Sequence, residues 1–401
     1  MYYFLSPSLS PWRYDNHYYS YPRTFSVNPY FYPYSSYYPT LQTPTHWGPL
    51  GWERNHFVYP IGSQQDPTRF IQPGIPPMPG GPSPSEIVGA VPEIAAKTTI
   101  ESKWNSLNRA PGIPISNLEK VGTGYRIRYQ NGTIYTKTTR GPAFWIYGEI
   151  EKRWGALQSV QSWLGFPTTD ILPIKYDNGY VMSFEKGEIY FWPETGPIEI
   201  DQVVLTYKGI HCFGTTSGPG SDEVYATISV VAPTGMVDDP VDVSTALTRL
   251  YEDVDRGVSV PDHIELYRGK PYGLNITFIL IERDEGDPNA YYQNIHATVS
   301  AAAAAGTAAI GAFTTPAGAA VAGPVLQALV TPVSKGINSL LDLGDDIIGQ
   351  QTIVLSIKEI VLLAAQTGES VLNNQIRFKI ETPLLTGEGS SYKGYFSLSR
   401  A

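Results

Sequence analysis

A stretch near residue 100 returns near residue 150, and that echo limits the folds open to this chain. Ile100, Trp104 and Leu107 recur as Ile150, Trp154 and Leu157, fifty positions on. Gly112-Ile113-Pro114 recurs as Gly165-Phe166-Pro167. Gly124-Tyr125, Asn131-Gly132, Ile134-Tyr135 and Gly141-Pro142 recur as Gly179-Tyr180, Lys186-Gly187, Ile189-Tyr190 and Gly196-Pro197, now fifty-five positions on. The drift fits small loop insertions in the second copy. One supersecondary unit of this size cannot bury its own apolar face, so the copies are expected to stack. Within a copy, Ile, Trp and Leu at i, i+4 and i+7 predict one helix face. The Gly-x-Pro element stops that helix and turns the chain. Tyr125-Arg126-Ile127-Arg128-Tyr129 alternates as a strand does, Asn131-Gly132 is a hairpin turn, and Thr133-Ile134-Tyr135 is the returning strand.

The second copy reads Trp154, then Leu164-Gly165-Phe166-Pro167, then Phe184, Gly187, Ile189-Tyr190 and Gly196-Pro197. This order resembles the LGFP repeat family, named for the tetrapeptide. In the first copy the tetrapeptide stands as Pro111-Gly112-Ile113-Pro114. The likeness covers residues 98 to 200. It implies a bacterial envelope protein in which the repeats hold their host on the cell wall. On that basis Trp104, Trp154, Trp192, Tyr125 and Tyr180 are candidate glycan- or wall-binding residues, since aromatic faces stack on the apolar faces of sugars. The competing reading of the tryptophans is core packing.

Residues 1–92 are dominated by tyrosine and proline, as in Pro29-Tyr30-Phe31-Tyr32-Pro33-Tyr34, and residues 73 to 82 read as an extended linker. This composition resembles the tails of spore-coat and exosporium proteins. The start of the chain has no basic segment, apolar run or cleavage pattern of a secretory signal. A protein laid down in the cytoplasm on a spore surface or parasporal layer is therefore expected.

From residue 203 the pattern changes to short runs rich in Val, Ile, Tyr and Thr: Gly209–Thr215, Glu223–Val231, Thr245–Tyr251, His263–Tyr267, Asn275–Glu282, Thr352–Ile360, Gln375–Ile380 and Gly394–Ser399. They predict an antiparallel β-sandwich over 203–401. Residues 297 to 334 interrupt it without a single charge and predict an Ala/Gly-rich helical hairpin of two arms, about 289–313 and 316–342. The fold class expected is mainly β with helical insertions: a tail over 1–92, tandem repeats over 93–202 and a sandwich carrying the hairpin.

Only 16% of residues are charged, against 28 tyrosines, 38 glycines and 34 prolines. That composition suits a protein packed against others, in a homo-oligomer or larger assembly. The net charge of -9, without a Lys/Arg-rich patch, argues against nucleic acid. The lone Cys212 excludes a disulfide framework within the chain. Hydrolase, nucleotide-binding and zinc signatures are missing, so no enzymatic activity is expected. Acidic residues gather at strand ends: Asp222, then Glu285 and Asp287, then Asp345 and Asp346. Oxygen ligands on loops at one end of a sandwich suit Ca²⁺, as in C2-like sandwiches to which this part is similar; solvated acidic loops are the other reading. The expected function is a structural, adhesive protein of a bacterial surface layer. The alternative is a pore-forming or insecticidal-type protein whose Ala/Gly hairpin enters membranes, and a cell-wall hydrolase is the weaker third option.

Overall fold

The computed structural model describes residues 84–175, 177–217, 220–236, 239, 241–283, 288–308, 329–331, 335 and 347–401. Each repeat is a helix followed by a four-stranded antiparallel meander. Helix α1 (Pro84–Ser106) precedes β1 (Glu119–Val121), β2 (Gly124–Tyr129), β3 (Gly132–Thr136) and β4 (Ala143–Ile146). Helix α2 (Gly148–Ala156) precedes β5 (Leu172–Ile174), β6 (Gly179–Ser183), β7 (Glu188–Trp192) and β8 (Gly196–Ile200). The expected apolar helix face is the packing face. Ala96 and Ile100 of α1 are buried with Tyr125, Ile127, Tyr129 and Ile134 of the sheet that follows. The helix starts at Pro84, inside the expected 1–92 tail, and proline is well placed in a first turn because its missing N–H has no partner there anyway.

The sandwich is two five-stranded antiparallel sheets. One runs β11 (Val241–Leu247), β10 (Asp222–Pro233), β14 (Leu274–Glu282) and β15 (Ile347–Leu355), with β12 (Tyr251–Val254) also on β10. The other runs β13 (Ser259–Gly269), β9 (Val203–Gly214), β20 (Ser390–Arg400) and β18 (Ile380–Glu381), with β19 (Leu385–Gly387) on β20. Tyr207, Phe278 and Phe396 form the centre between the sheets. Strand β14 is buried on both faces from Leu274 to Ile281, in keeping with its apolar run Phe278–Ile281; Asn275 and Thr277 are buried polar residues within it. Ile276, Phe278 and Leu280 face the opposite sheet. Ile279 and Ile281 face helix α3 (Pro288–Ala308), which lays Ile295, Val299 and Ala303 on them. The first arm of the expected hairpin thus packs on the sandwich. Of the second arm, residues 329–331 and 335 are helical, Leu329 is buried in the same cluster, and the rest lies outside the described residues.

Two expectations need correction. The run Thr352–Ile360 is not one strand: β15 stops at Leu355 and helix α4 (Ile357–Ala365) begins. Ser356 caps it, accepting from Glu359 N at 3.3 Å, while Ser356 N donates to Glu359 Oε2 at 2.8 Å. This reciprocal pair satisfies two backbone donors that an α-helix start leaves open. Ser356→Ala should therefore lower stability by about 0.5–2 kcal/mol, measured by urea denaturation; an unchanged midpoint would show the cap to be idle.

The second correction concerns residue 202 as a boundary. Ile174, Val181, Tyr190, Trp192 and Ile200 of the second repeat sit in the same core as the sandwich residues Leu205, Tyr272, Leu274 and Ile360. Buried Glu188 accepts from Ser183 Oγ at 3.0 Å, Tyr190 Oη at 2.5 Å and, from the sandwich, Tyr272 Oη at 2.7 Å. Lys358 pairs with Glu194, and Lys270 with Asp201 at 2.9 Å. The second repeat and the sandwich therefore share one core.

A hairpin of β16 (Ser370–Leu372) and β17 (Ile376–Phe378) lies beside β13 and β9. Its Asn373 donates to Ser259 Oγ at 3.0 Å, and the same hydroxyl lies 2.9 Å from Nδ1 of buried His211. Burial pushes the His211 imidazole below its ordinary 6.5, against an opposing backbone hydrogen bond to Val258. The fold therefore favours neutral His211. Its contribution is complete above pH 6.5 and declines as pH falls from there toward the lowered value, because the unfolded chain takes up the proton first. Melting temperature measured against pH should fall over that window in the natural chain and less in His211→Asn; parallel curves would remove His211 as the cause.

Candidate glycan-contact surface of the repeats

The tetrapeptide does the same work in both copies. Pro114 bridges Tyr129, and Pro167 bridges Phe184. Gln130 N donates to Ile113 O at 3.2 Å, matched by Glu185 N to Phe166 O at 3.1 Å. Asn131 N donates to Pro111 O at 2.9 Å, matched by Lys186 N to Leu164 O at 3.2 Å. Gly112 and Gly165 take φ of +84° and +75°, a region open to glycine and costly for other residues. The first copy keeps the geometry without Leu and Phe because these bonds are made by backbone. A side chain closes each turn: Gln130 Oε1 accepts from Ile113 N at 3.3 Å, and Glu185 Oε2 from Phe166 N at 3.0 Å.

The five candidate aromatic residues divide. Trp154, Trp192 and Tyr125 are buried, so for them the glycan-stacking expectation is corrected: no ring face is open to a polymer. Trp154 lies edge-on to Tyr135 at 4.9 Å and beside Phe184 at 5.4 Å; Trp192 stacks on Tyr190 at 6.0 Å. Trp104 is partly exposed, with its Nε1 donating to Gly112 O at 2.8 Å. Tyr180 is 40% exposed.

Tyr180 has company that sequence comparison did not reveal. Across β6 and β7 it pairs with Phe191, ring centroids 6.4 Å apart. Nearby stand Trp145 of β4, in the first repeat, and Tyr147 at the start of α2, where the second begins, centroids 4.1 Å apart, with Tyr147 36% exposed. The Tyr147 hydroxyl is pushed above its ordinary value by partial burial, then by Tyr180 and Asp170, which places these groups in one neighbourhood. Asp170 fixes the base: it accepts from Trp145 N at 2.9 Å and pairs with Lys103. Trp145 Nε1 donates to Asn131 O at 3.0 Å. The result is two aromatic pairs near the junction of the two repeats, with Tyr147 and Tyr180 exposed and Trp145 and Phe191 partly buried. Their chemistry is that of recognition, offering apolar faces with polar groups at their edges.

Of the acidic candidates only Asp222 is among the described residues. Asp222 is buried, and its carboxylate accepts from Thr216 N at 3.0 Å, Thr216 Oγ1 at 2.8 Å and Tyr392 Oη at 2.5 Å. Glu285, Asp287, Asp345 and Asp346 lie outside the described residues. No group of three or more His, Cys, Asp or Glu side chains suited to a metal ion occurs among the described residues.

Residues 112–162 and 164–206 each match the LGFP repeat model. The chain is thus a repeat-containing protein with two LGFP repeats. No curated protein matches it. The matched windows begin at the tetrapeptide and run into the next element, whereas packing groups each helix with the sheet after it. The second window ends at Thr206 within β9.

Proposed function

We propose that this protein is a non-enzymatic structural and adhesive component of a bacterial surface layer, a spore coat or parasporal layer. The LGFP repeats contact cell-wall polymer or glycan, and the sandwich joins copies of the protein into the layer. The observation that carries this reading is the two aromatic pairs Trp145–Tyr147 and Tyr180–Phe191, in which Tyr147 and Tyr180 are exposed and backed by the partly buried Trp145 and Phe191. Stacked aromatic contacts of this kind contribute about 0.5–1.5 kcal/mol each. Removing two should weaken binding roughly tenfold, since about 1.4 kcal/mol is a factor of ten.

The full chain should co-sediment with purified peptidoglycan carrying its attached polymers, and Tyr147→Ala with Tyr180→Ala should reduce this about tenfold without lowering the melting temperature. A folded full chain that stays in the supernatant would remove the wall-contact role. Against the pore-forming alternative, α3 spends its apolar residues Ile295, Val299 and Ala303 on the sandwich. No helix among the described residues is long and apolar enough to cross a membrane.

A further inference from the structure

The repeats stack head to tail, and the stacking leaves one face uncovered. Tyr135 and Ile146, at one end of the first sheet, are buried against Trp154, Leu164, Met182 and Phe184 of the second repeat. Phe166 also reaches across: a Cβ on Gly124 of the first repeat would come within 2.7 Å of its ring. The second repeat then buries Tyr190 and Ile200 in the core it shares with the sandwich. The receiving face of the first repeat has no such cover among the described residues. Ile113, which stands by sequence offset for Phe166, is 62% exposed where Phe166 is 5% exposed. Ile94, Ile113 and Ile115 are the three most exposed large apolar side chains among the described residues, at 65%, 62% and 63%. Ile94 lines the groove beside α1, and Ile113 and Ile115 flank Pro114, which lines it too. Single exposed apolar residues are ordinary, but several at one end of a molecule mark a surface that meets a partner.

Topology and charge decide which partner. A head-to-tail contact needs a free sheet end of the kind that Tyr135 and Ile146 form, and both such ends are occupied within the chain. Another copy can therefore offer only the same face, in an isologous contact about a two-fold axis, the commonest symmetry of soluble oligomers. The face is suited to meeting itself. Glu93, Lys97 and Glu101, all exposed, follow one another at a spacing of four along α1, so they lie on one side of it with alternating sign. Two antiparallel α1 helices would set Lys97 of each copy beside Glu93 or Glu101 of the other. Within one copy Lys97 reaches Glu101 only at 3.8 Å, with 59% and 51% of the side chains exposed, a weak pair that leaves both groups available. Arg109, 4.8 Å from the Trp104 ring centre, brings the four charges of this face to zero, whereas the whole chain carries -9. A neutral, apolar end on an acidic molecule escapes the repulsion that holds the rest of two copies apart.

We infer that the open face of the first repeat is a self-association surface, through which two copies pair by α1, Ile94 and Ile113 about a two-fold axis. Pairing of this kind is independent of wall contact. It closes at two copies, so growth of a layer still calls for the contact proposed for the sandwich. Sedimentation equilibrium of the full chain tests it, and the natural chain should associate reversibly. Ile94→Glu with Ile113→Glu should weaken that association roughly hundredfold at an unchanged melting temperature, because each substitution acts twice across the axis and buries charge without a partner. The charge pattern gives a sharper readout. Lys97→Glu by itself, and Glu93→Lys with Glu101→Lys by itself, should each fail to pair, and an equimolar mixture of the two variants should pair again. A natural chain that stays monomeric at every concentration, its face left open or covered from within the chain, would overturn the inference. So would association that these variants leave unchanged, or a mixture that does not pair.

Discussion

Truncating Trp154 to alanine is expected to destabilise the protein by about 3–5 kcal/mol, the usual cost of removing a large buried aromatic side chain. Trp154 is shared by both repeats: it meets Tyr135 of the first and Phe184 of the second, and α2 carries it between the two sheets. Its loss opens a cavity in the only apolar cluster joining the repeats among the described residues. Trp154→Phe should cost less, because the buried Trp154 Nε1 makes no hydrogen bond among the described residues, so phenylalanine gives up no polar contact. Urea denaturation of the natural chain and both variants measures the difference. Equal midpoints for alanine and tryptophan would mean that the repeats are not coupled through this ring.

A fragment of residues 93–202 is expected not to fold. It would expose Ile174, Val181, Tyr190, Trp192 and Ile200, all buried in the full chain, and strand Glu188 without Tyr272. At about 1.5–3 kcal/mol for each large apolar side chain returned to water, the loss is comparable to the whole stability of a typical domain, about 5–15 kcal/mol. Circular dichroism through a thermal ramp decides it. A sharp cooperative melt from the fragment would show that the second repeat is an independent module.

What could be read from the chain follows from what repeats in it. Ile100, Trp104, Asn131-Gly132 and Ile134-Tyr135 recur because each copy needs the same helix face and the same turn, so helix and meander were legible. Of the recurring aromatic residues only Tyr180 and, in part, Trp104 are exposed. Trp154, Tyr125 and Tyr190 recur because they fill cores, and they are buried. Three of the four surface rings do not recur: the positions matching Trp145 and Tyr147 in the second copy are Ile200 and Gln202, and Phe191 matches Thr136, while Tyr180 matches Tyr125, which is buried. A junction between unlike neighbours needs unlike residues, so internal comparison passes over it. The sandwich was legible from β-branched runs, while α4 was not, because Ile357–Ala365 follows the strand Ile347–Leu355 directly and is rich in Ile, Val and Leu, and only Ser356 with Glu359 marks the helix start. The shared core across residue 202 was hidden because side chains turned toward a neighbouring sheet look, in sequence, like those turned toward a domain's own helix.

The central claim, that the repeats present an aromatic surface to wall polymer, is met most directly by co-sedimentation of the full chain with purified peptidoglycan, the natural chain beside Tyr147→Ala with Tyr180→Ala. Sedimentation of the natural chain, weakened about tenfold in a variant that melts at the same temperature, is the predicted result. Equal sedimentation of the two, or none by the natural chain, would contradict it.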